Sequence, residues 1–174
     1  MISKHFEDIK IKFIEDEENK LKIVAEPFDR GYAVTVGNAL RRTLMTSVPG
    51  AAITSIKIDG VQHEFSSIDG ILEDVSDIIL NLKGVIFKTV NDGPEQIHLS
   101  FQGPMEFRAK DIQSKLNDFQ VLNPDKLIAT LNDKASLEID IRVSRGKGYS
   151  SASKNKRSDD VIGTIPVDSI FNPI

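Results

Sequence analysis

The residues in this sequence best suited to chemistry are three histidines and one short cationic segment. His5, His63 and His98 have no second His, Asp or Glu three or four residues away on a predicted helix, so a metal site has little support. The segment Arg145-Gly-Lys147-Gly148 combines small residues with two cations, as phosphate-binding loops do. It lacks the G-x-x-x-x-G-K spacing of such a loop and follows a predicted strand without opening a helix. We therefore expect no catalytic residue, metal or cofactor.

Two Asp-Gly pairs are the remaining candidates for acid–base chemistry. Asp59 and Asp69 each precede a glycine, and Asp-Gly is first of all a turn dipeptide. No nucleophile and base can be paired from their spacing. A phosphoryl-handling enzyme that uses Arg145, Lys147 and these two turns stays open as a weaker interpretation.

Composition limits the class of protein. The 174 residues include 22 Lys+Arg and 26 Asp+Glu, for a net charge of −4, and 40% are hydrophobic. This is an ordinary globular composition and excludes a disordered tail protein. The acidity argues against a protein whose whole surface binds nucleic acid, although it leaves room for a local basic patch. The absence of cysteine excludes disulfides and zinc–thiolate sites.

Neither a membrane span nor a signal peptide is predicted. The longest uncharged stretch, residues 43–56, is interrupted by Pro49-Gly50. A spanning helix needs about 20 predominantly apolar residues. Acidic residues follow soon after Met1, where a signal peptide would have its apolar segment. We expect a soluble, cytoplasmic protein without membrane contact.

Alternating apolar residues predict strands in several parts of the chain. The clearest is residues 137–143, which has a strict period of two. Residues 9–13 and 21–25 predict a hairpin with one buried face and a solvated acidic turn at residues 15–19. Asp59-Gly60 predicts a type I′ hairpin between strands near Ile56 and Val61. Further strands are expected at residues 85–87, 97–101, 105–107 and 162–167.

A first amphipathic helix is predicted over residues 35–47, with Thr35 as N-cap and Pro49-Gly50 ending it. Its apolar stripe recurs every four residues and consists of Val36, Leu40, Leu44 and Val48. Arg41 and Arg42 project about 100° apart, and the pattern alone favours two surface arginines.

A second amphipathic helix is predicted over residues 70–83, capped by Ser66, Ser67 or Asp69. Lys83 lies at its C-terminus, where a cation favours the negative end of the helix dipole. The expected apolar face consists of Leu72, Val75, Ile79 and Leu82. Two helices among many strands make this a mixed α+β protein.

Several segments together carry a family resemblance across almost the whole chain. Residues 30–45 read RGYAVTVGNALRRTLM. The others, in order, are SVPG at 47–50, IDGV at 58–61 with His63-Glu64, Glu73-Asp74, LNLKG at 80–84, RGKGY at 145–149, Ile162-Gly163 and Val167-Asp168. In this combination the chain resembles the N-terminal domain of the bacterial RNA polymerase alpha subunit.

The resemblance implies an α+β fold in which a larger, mostly β subdomain is inserted into a small dimerisation subdomain. Residues 1–49 with 172–174 would be part of the dimerisation subdomain, and residues 50–171 the inserted subdomain. It also implies a non-catalytic scaffold of a DNA-directed RNA polymerase, a nucleotidyltransferase complex involved in transcription. Such a subunit dimerises and nucleates assembly of the beta and beta′ subunits, and this chain alone would have no activity.

The resemblance assigns three groups of contact residues. Asn38, Arg41 and Arg42 match positions for the beta subunit. Lys83, Val167 and Asp168 match positions for the beta′ subunit. The dimer interface would be formed by Val36, Leu40, Leu44 and Val48.

By the same resemblance, the returning strands and the second dimer helix of full-length members are expected to follow Ile174. The DNA-binding C-terminal domain would follow as well, so no direct DNA binding is expected from this part. Dimerisation is expected of the full-length protein. The alternative from another class is a stand-alone α+β dimeric protein-binding module.

Overall fold

The computed structural model describes residues 9–17, 20–91 and 93–174. His5 and the tip of the predicted N-terminal turn therefore lie outside the described residues. The chain forms two compact units, residues 1–43 and residues 44–174. The predicted subdomain limits at residues 49 and 172 stay predictions.

The first unit contains an antiparallel hairpin of β1 (Lys10–Glu17) and β2 (Lys20–Glu26). Ile11 pairs with Ala25, and Phe13 pairs with Ile23, so the apolar side chains share one face as predicted. The expectation that this face is buried is wrong, since Phe13 is 66% exposed and Ile11 and Ile23 are also exposed. The alternation of apolar and polar residues is a local property of the sequence, so it predicted the two strands correctly. Burial depends on a covering layer.

Helix α1 (Tyr32–Ser47) begins three residues earlier than predicted. Thr35 therefore lies inside the first turn and is not the N-cap. Its hydroxyl donates a hydrogen bond to the Gly31 carbonyl at 3.4 Å. The helix ends before Pro49, as expected, and none of its residues is buried.

The second unit is built around a six-stranded sheet in the order β5-β9-β3-β4-β7, with β11 added beside β3. All its described pairings are antiparallel. The strands are β3 (Pro49–Ile58), β4 (Phe87–Thr89), β5 (Glu95–Gln102), β6 (Met105–Arg108), β7 (Phe119–Val121), β8 (Leu127–Leu131), β9 (Ser136–Lys147), β10 (Tyr149–Ser150), β11 (Thr164–Pro166) and β12 (Ser169–Ile170). Two further pairs, β6 with β8 and β10 with β12, complete the β structure.

One contiguous core holds the second unit together. The alternating residues Leu137, Ile139, Ile141 and Val143 of β9 are fully or almost fully buried, which confirms the clearest strand prediction. They join Ile56 and Ile58 of β3 and the buried face of α2 (Val75–Lys83) in one hydrophobic cluster. Two short helices, α3 (Ala109–Gln113) and α4 (Ala152–Asn155), lie in the connections. The fold is mixed α+β with strands predominating, as the sequence predicted.

The predicted type I′ hairpin at Asp59-Gly60 is wrong. Strand β3 pairs with β4, β9 and β11, and none of these strands follows Gly60 directly as the second strand of a hairpin would. Only glycines have positive φ among the described residues, including Gly60 at 74°, whereas a type I′ turn needs positive φ at both central positions. His63 lies in a bend after β3 and not in a strand.

Helix α2 is shorter than predicted and begins at Val75. Its N-cap is Asp74, whose carboxylate accepts the Asp77 N–H at 2.8 Å, so Ser66, Ser67 and Asp69 are not the cap. Glu73 accepts the Thr130 N–H at 2.6 Å, which ties the residues before the helix to β8. Residues 70–74, which were predicted to form the first turn of this helix, are therefore not helical. Leu72 precedes the helix and is exposed, and the buried residues are Val75, Ile78 and Leu82.

The C-terminal strand is also shorter than residues 162–167. Ile162 is 95% exposed, and β11 begins at Thr164. The polar segment before it contains α4. In the part of the chain described, no helix has the length and apolar character needed to cross a membrane.

Candidate protein-binding surfaces

Lys83 and Asp168 lie 85 positions apart in the sequence and form an ion pair in the structure. The ammonium Nζ lies 2.9 Å from Oδ1 and 2.8 Å from Oδ2 of the carboxylate. The side chains are 26% and 40% exposed, so the pair remains accessible to solvent. The two predicted beta′ residues that carry charge are therefore brought together.

The surrounding elements position this pair. The buried face of α2 packs on the core, and the Asn81 side chain donates a hydrogen bond to the Ile128 carbonyl at 3.1 Å. This fixes the helix end that carries Lys83. Val167 is only 3% exposed, and its N–H donates to the Thr54 carbonyl at 2.9 Å. Its side chain belongs to the core, so the accessible predicted residues here are Lys83 and Asp168.

Two open grooves meet at the ion pair, because Lys83 and Asp168 line both. The Leu80 groove, of about 440 Å³, is also lined by Glu64, Ser76, Ile79, Leu80 and Pro166. The Ile170 groove, of about 310 Å³, is also lined by Ala51, Ile86, Leu122, Ile170 and Pro173. Leu80, Ile86, Leu122 and Ile170 are exposed. An accessible ion pair with exposed apolar side chains around it has the composition of a protein interface.

The predicted beta-contact residues lie together on α1. Asn38, Arg41 and Arg42 are all exposed. At about 100° per residue they fall within an arc of about 100°. By the same rotation Asn38 and Arg42 lie about 120° or more from the helical stripe residues, whereas Arg41 lies only about 60° from Leu44, at the edge of the stripe.

The apolar stripe of α1 is only partly covered. Leu40 is 58% exposed, Leu44 is also exposed and Val36 is half-buried. Val48 is half-buried too, but it lies just past the end of the helix at Ser47. Tyr32, Val34 and Met45 add further exposed apolar surface on the same helix. The helix thus keeps a large apolar surface in contact with solvent.

His63 and His98, considered first for chemistry, each lie beside one polar side chain and not in a metal-ligating cluster. His98 Nδ1 lies 2.8 Å from Asp140 Oδ1 on the sheet surface, and His63 Nδ1 lies 3.3 Å from the Ser66 hydroxyl. Within residues 9–17, 20–91 and 93–174, no three metal-ligating side chains form a cluster. Gly146 is explained by packing, since a Cβ there would lie 2.6 Å from the Phe171 ring.

Sequence reasoning missed the buried ion pair of Arg142 and Asp160, whose side chains are almost completely buried. Burial by itself would raise the pKa of Asp160. The hydrogen bond from the Arg157 N–H and the guanidinium of Arg142 outweigh burial and lower the pKa below its usual value. No local signal pairs residues on a strand and a distant loop. The alternation of β9 shows only that Arg142 faces away from its apolar side.

Comparison with known proteins shows that this chain is similar in sequence to a family model and to several named proteins. The family model described as RNA polymerase Rpb3/RpoA insert domain matches residues 56–172. The relative from Chloroherpeton thalassium, named DNA-directed RNA polymerase subunit alpha, is 54% identical over 88% of this chain and 47% of its own length. The relative of that name from Salinibacter ruber is 49% identical over 97% of this chain and 51% of its own. The chain therefore spans about half the length of these relatives.

Proposed function

Because this chain belongs to the bacterial RNA polymerase alpha subunit family, we propose that it is a non-catalytic, cytoplasmic scaffold for polymerase assembly. As part of the full-length protein it dimerises with a second copy and provides the surface on which the beta and then the beta′ subunit assemble. Residues 1–49 with 172–174 contribute to the dimerisation subdomain, and residues 50–171 form the inserted one. The stand-alone binding module is not favoured, since the relatives share the alpha-subunit name.

The observation that carries this proposal is that α1, a helix of 16 residues, has no buried residue. The hairpin β1–β2 likewise exposes Ile11, Phe13 and Ile23. Contiguous apolar surface of this kind is uncommon on monomers and marks interaction sites. Fully burying one large aliphatic or aromatic side chain contributes about 1.5–3 kcal/mol, so covering several would drive association.

The two faces of α1 serve different partners in this proposal. The stripe of Val36, Leu40, Leu44 and Val48 packs against the second copy. The face with Asn38, Arg41 and Arg42 binds the beta subunit. An arginine suits the second role because its donors are fixed in a planar fork and remain charged.

The ion pair Lys83–Asp168 and its two grooves serve the beta′ subunit. Apolar beta′ side chains fill the grooves, and polar groups of beta′ bind the pair between them. Val167 acts by fixing the backbone before Asp168, because its own side chain is buried.

The beta contact is tested with Arg42→Ala and a matched control, Arg30→Ala, which removes an exposed arginine outside the proposed site. We expect Arg42→Ala to weaken capture of purified beta subunit by about 2 kcal/mol or more. Stability should change by less than about 0.5 kcal/mol in both variants. Equal capture by parent, Arg42→Ala and Arg30→Ala would remove Arg42 from the site.

The beta′ contact is tested by exchanging the two charges. Lys83→Asp removes the ion pair, and the double variant Lys83→Asp/Asp168→Lys restores it in reverse. If the pair acts only within the fold, the double variant regains both melting temperature and beta′ recruitment to a preformed alpha–beta complex. We expect it to regain melting temperature alone, because a partner matched to the original charges meets the wrong ones.

The non-catalytic role has its own test. The purified chain, supplied with template, nucleotides and Mg²⁺, should incorporate no nucleotide. Template-dependent incorporation by the chain without other subunits would overturn the scaffold proposal.

A further inference from the structure

A basic cleft in the second unit has no role in the proposed contacts. It has a volume of about 430 Å³ and lies where β9, β10 and α4 meet. Its walls include five cationic residues, and none of the described residues that line it is Asp or Glu. The cations are Arg142, Arg145, Lys147, Lys154 and Arg157. This composition is unexpected in a chain whose net charge is −4.

Two of the five cations are already neutralised by acids outside the cleft. Arg142 pairs with Asp160, and Arg157 Nε lies 3.0 Å from Asp159 Oδ1. Lys147 and Lys154 are both exposed, and neither forms an ion pair with the residues the structure describes. The cleft therefore retains positive charge.

The polar wall of the cleft is held in place by hydrogen bonds. The Asn155 side chain donates to the Val167 carbonyl at 2.6 Å and to the Ser169 hydroxyl at 2.9 Å, and accepts from the Ser150 hydroxyl at 2.8 Å. This network ties α4, which carries Lys154, to the neighbouring strands. A wall fixed in advance lowers the entropy lost on binding.

Two further groups in the cleft are suited to a ligand. Tyr149 lines it and is 63% exposed, and exposed tyrosines are enriched in protein interfaces. Arg142 also lines it, and its buried Nε has no hydrogen-bond partner among the described residues. Buried polar groups normally have a hydrogen-bond partner, and an acidic ligand in the cleft would supply an acceptor here.

We propose that this cleft binds a short acidic segment of a protein partner, whose Asp or Glu carboxylates pair with Lys147 and Lys154. Tyr149 packs against the apolar part of that segment. None of the cleft's cations lines the two grooves proposed for the beta′ subunit, although Phe171 lines both the cleft and the Ile170 groove.

An acidic protein segment fits better than a nucleic acid for two reasons. Nucleic-acid affinity grows with the number of phosphates neutralised, and this cleft offers few unpaired cations. In the adjoining pocket Asp140, Asp159 and Asp160 are balanced by three cations, so the excess positive charge that a continuing phosphate backbone needs ends at the cleft. Two or three carboxylates match the available charge without extending that far.

The test measures fluorescence anisotropy of a labelled peptide of alternating Glu and Ser, with an all-Ser peptide and a short oligothymidylate as comparison probes. The cleft variant is Lys147→Glu/Lys154→Glu. The matched control is Lys110→Glu/Lys115→Glu, which changes net charge equally at two exposed lysines away from the cleft. We expect the cleft variant to lose at least about tenfold in affinity for the acidic peptide and the control to lose less than about twofold.

Melting curves accompany each measurement. If charge reversal unfolds the cleft variant, Lys147→Gln/Lys154→Gln repeats the test without adding acids. Three outcomes would overturn the proposal. These are no binding of the acidic peptide by the parent, equal losses in cleft and control variants, or tighter binding of the oligothymidylate than of the peptide.

Discussion

The hairpin β1–β2 and the strand β9 have the same alternating pattern but opposite burial. In β9, Ile139 and Ile141 are completely buried between neighbouring strands and helix α2. In the hairpin, Phe13 and Ile23 share an equally apolar face, and both are exposed. A period of two therefore predicts a strand and its apolar face, while the layer that covers that face comes from elsewhere.

This difference separates a region that is stable through its own core from one that presents surface to others. Residues 44–174 contain every residue of the hydrophobic core cluster. The described part of residues 1–43 contains none of them. Local stability should therefore differ between the two regions, and so should their response to the same kind of substitution.

The largest expected difference is in hydrogen exchange. Amides of residues 137–143 should open only with free energies close to global unfolding, about 5 kcal/mol or more. Amides of α1 and of the rest of residues 1–49 should open at much lower free energy, because little apolar surface secures them. Residues 50–171 should behave as one cooperative unit. Equal protection of α1 and β9 in a dilute monomeric sample would contradict the comparison.

The next largest difference should come from truncating one isoleucine in β9 and one in β2. Ile139→Ala should lower the free energy of unfolding by about 2–5 kcal/mol, because it leaves a cavity in a close-packed core. Ile23→Ala should change it by less than about 0.5 kcal/mol, since that side chain is already exposed. Urea unfolding of both variants measures the difference. A similar loss in both would mean that the hairpin face is covered in solution.

Replacing two glycines by alanine should change the free energy of unfolding in opposite directions. A Cβ at Gly50 would lie 1.9 Å from the Phe171 carbonyl oxygen, so Gly50→Ala should destabilise by about 1–3 kcal/mol. At Gly37 in α1, a Cβ meets nothing within 4 Å. Gly37→Ala should stabilise the helix by about 0.5–1 kcal/mol. Thermal melts followed by circular dichroism measure both. Destabilisation by Gly37→Ala would show that α1 packs closely against something.

The smallest expected effect is a pH dependence confined to the second region. The pKa of Asp160 is lowered in the folded state, because the Arg157 N–H and the Arg142 guanidinium outweigh burial. Its contribution to stability is thus fully present above the ordinary Asp pKa of about 3.9 and is lost as pH falls through the lower folded-state pKa. Between pH 7 and pH 3, Asp160→Asn should show a smaller loss of stability than the parent. Identical pH profiles would exclude this linkage.

The starts of α1 and α2 differ from their predicted positions for different reasons. Thr35 was expected to cap α1, and residues 70–74 were expected to be helical. In the structure, α1 begins at Tyr32, while Glu73 is bound to β8 and Asp74 caps α2. The start of α1 is local, where the Tyr32 N–H donates a hydrogen bond to the Asp29 carbonyl at 3.1 Å. The bond from Glu73 to Thr130 spans 57 positions, and no local pattern indicates it.

By itself, the sequence determined the α+β class, the hairpin, the end of α1, the buried alternation of β9 and the family. These follow from periodicities of two and 3.6 residues, from Pro-Gly at a helix end, and from the order of motifs, all of which are local or linear properties. Long-range packing, by contrast, is what brings Lys83 to Asp168, buries Val167 and forms a cleft lined with cations near α4. It also leaves the hairpin face exposed. Such features depend on which distant segments pack together, and the free energy of that packing is a property of the whole chain.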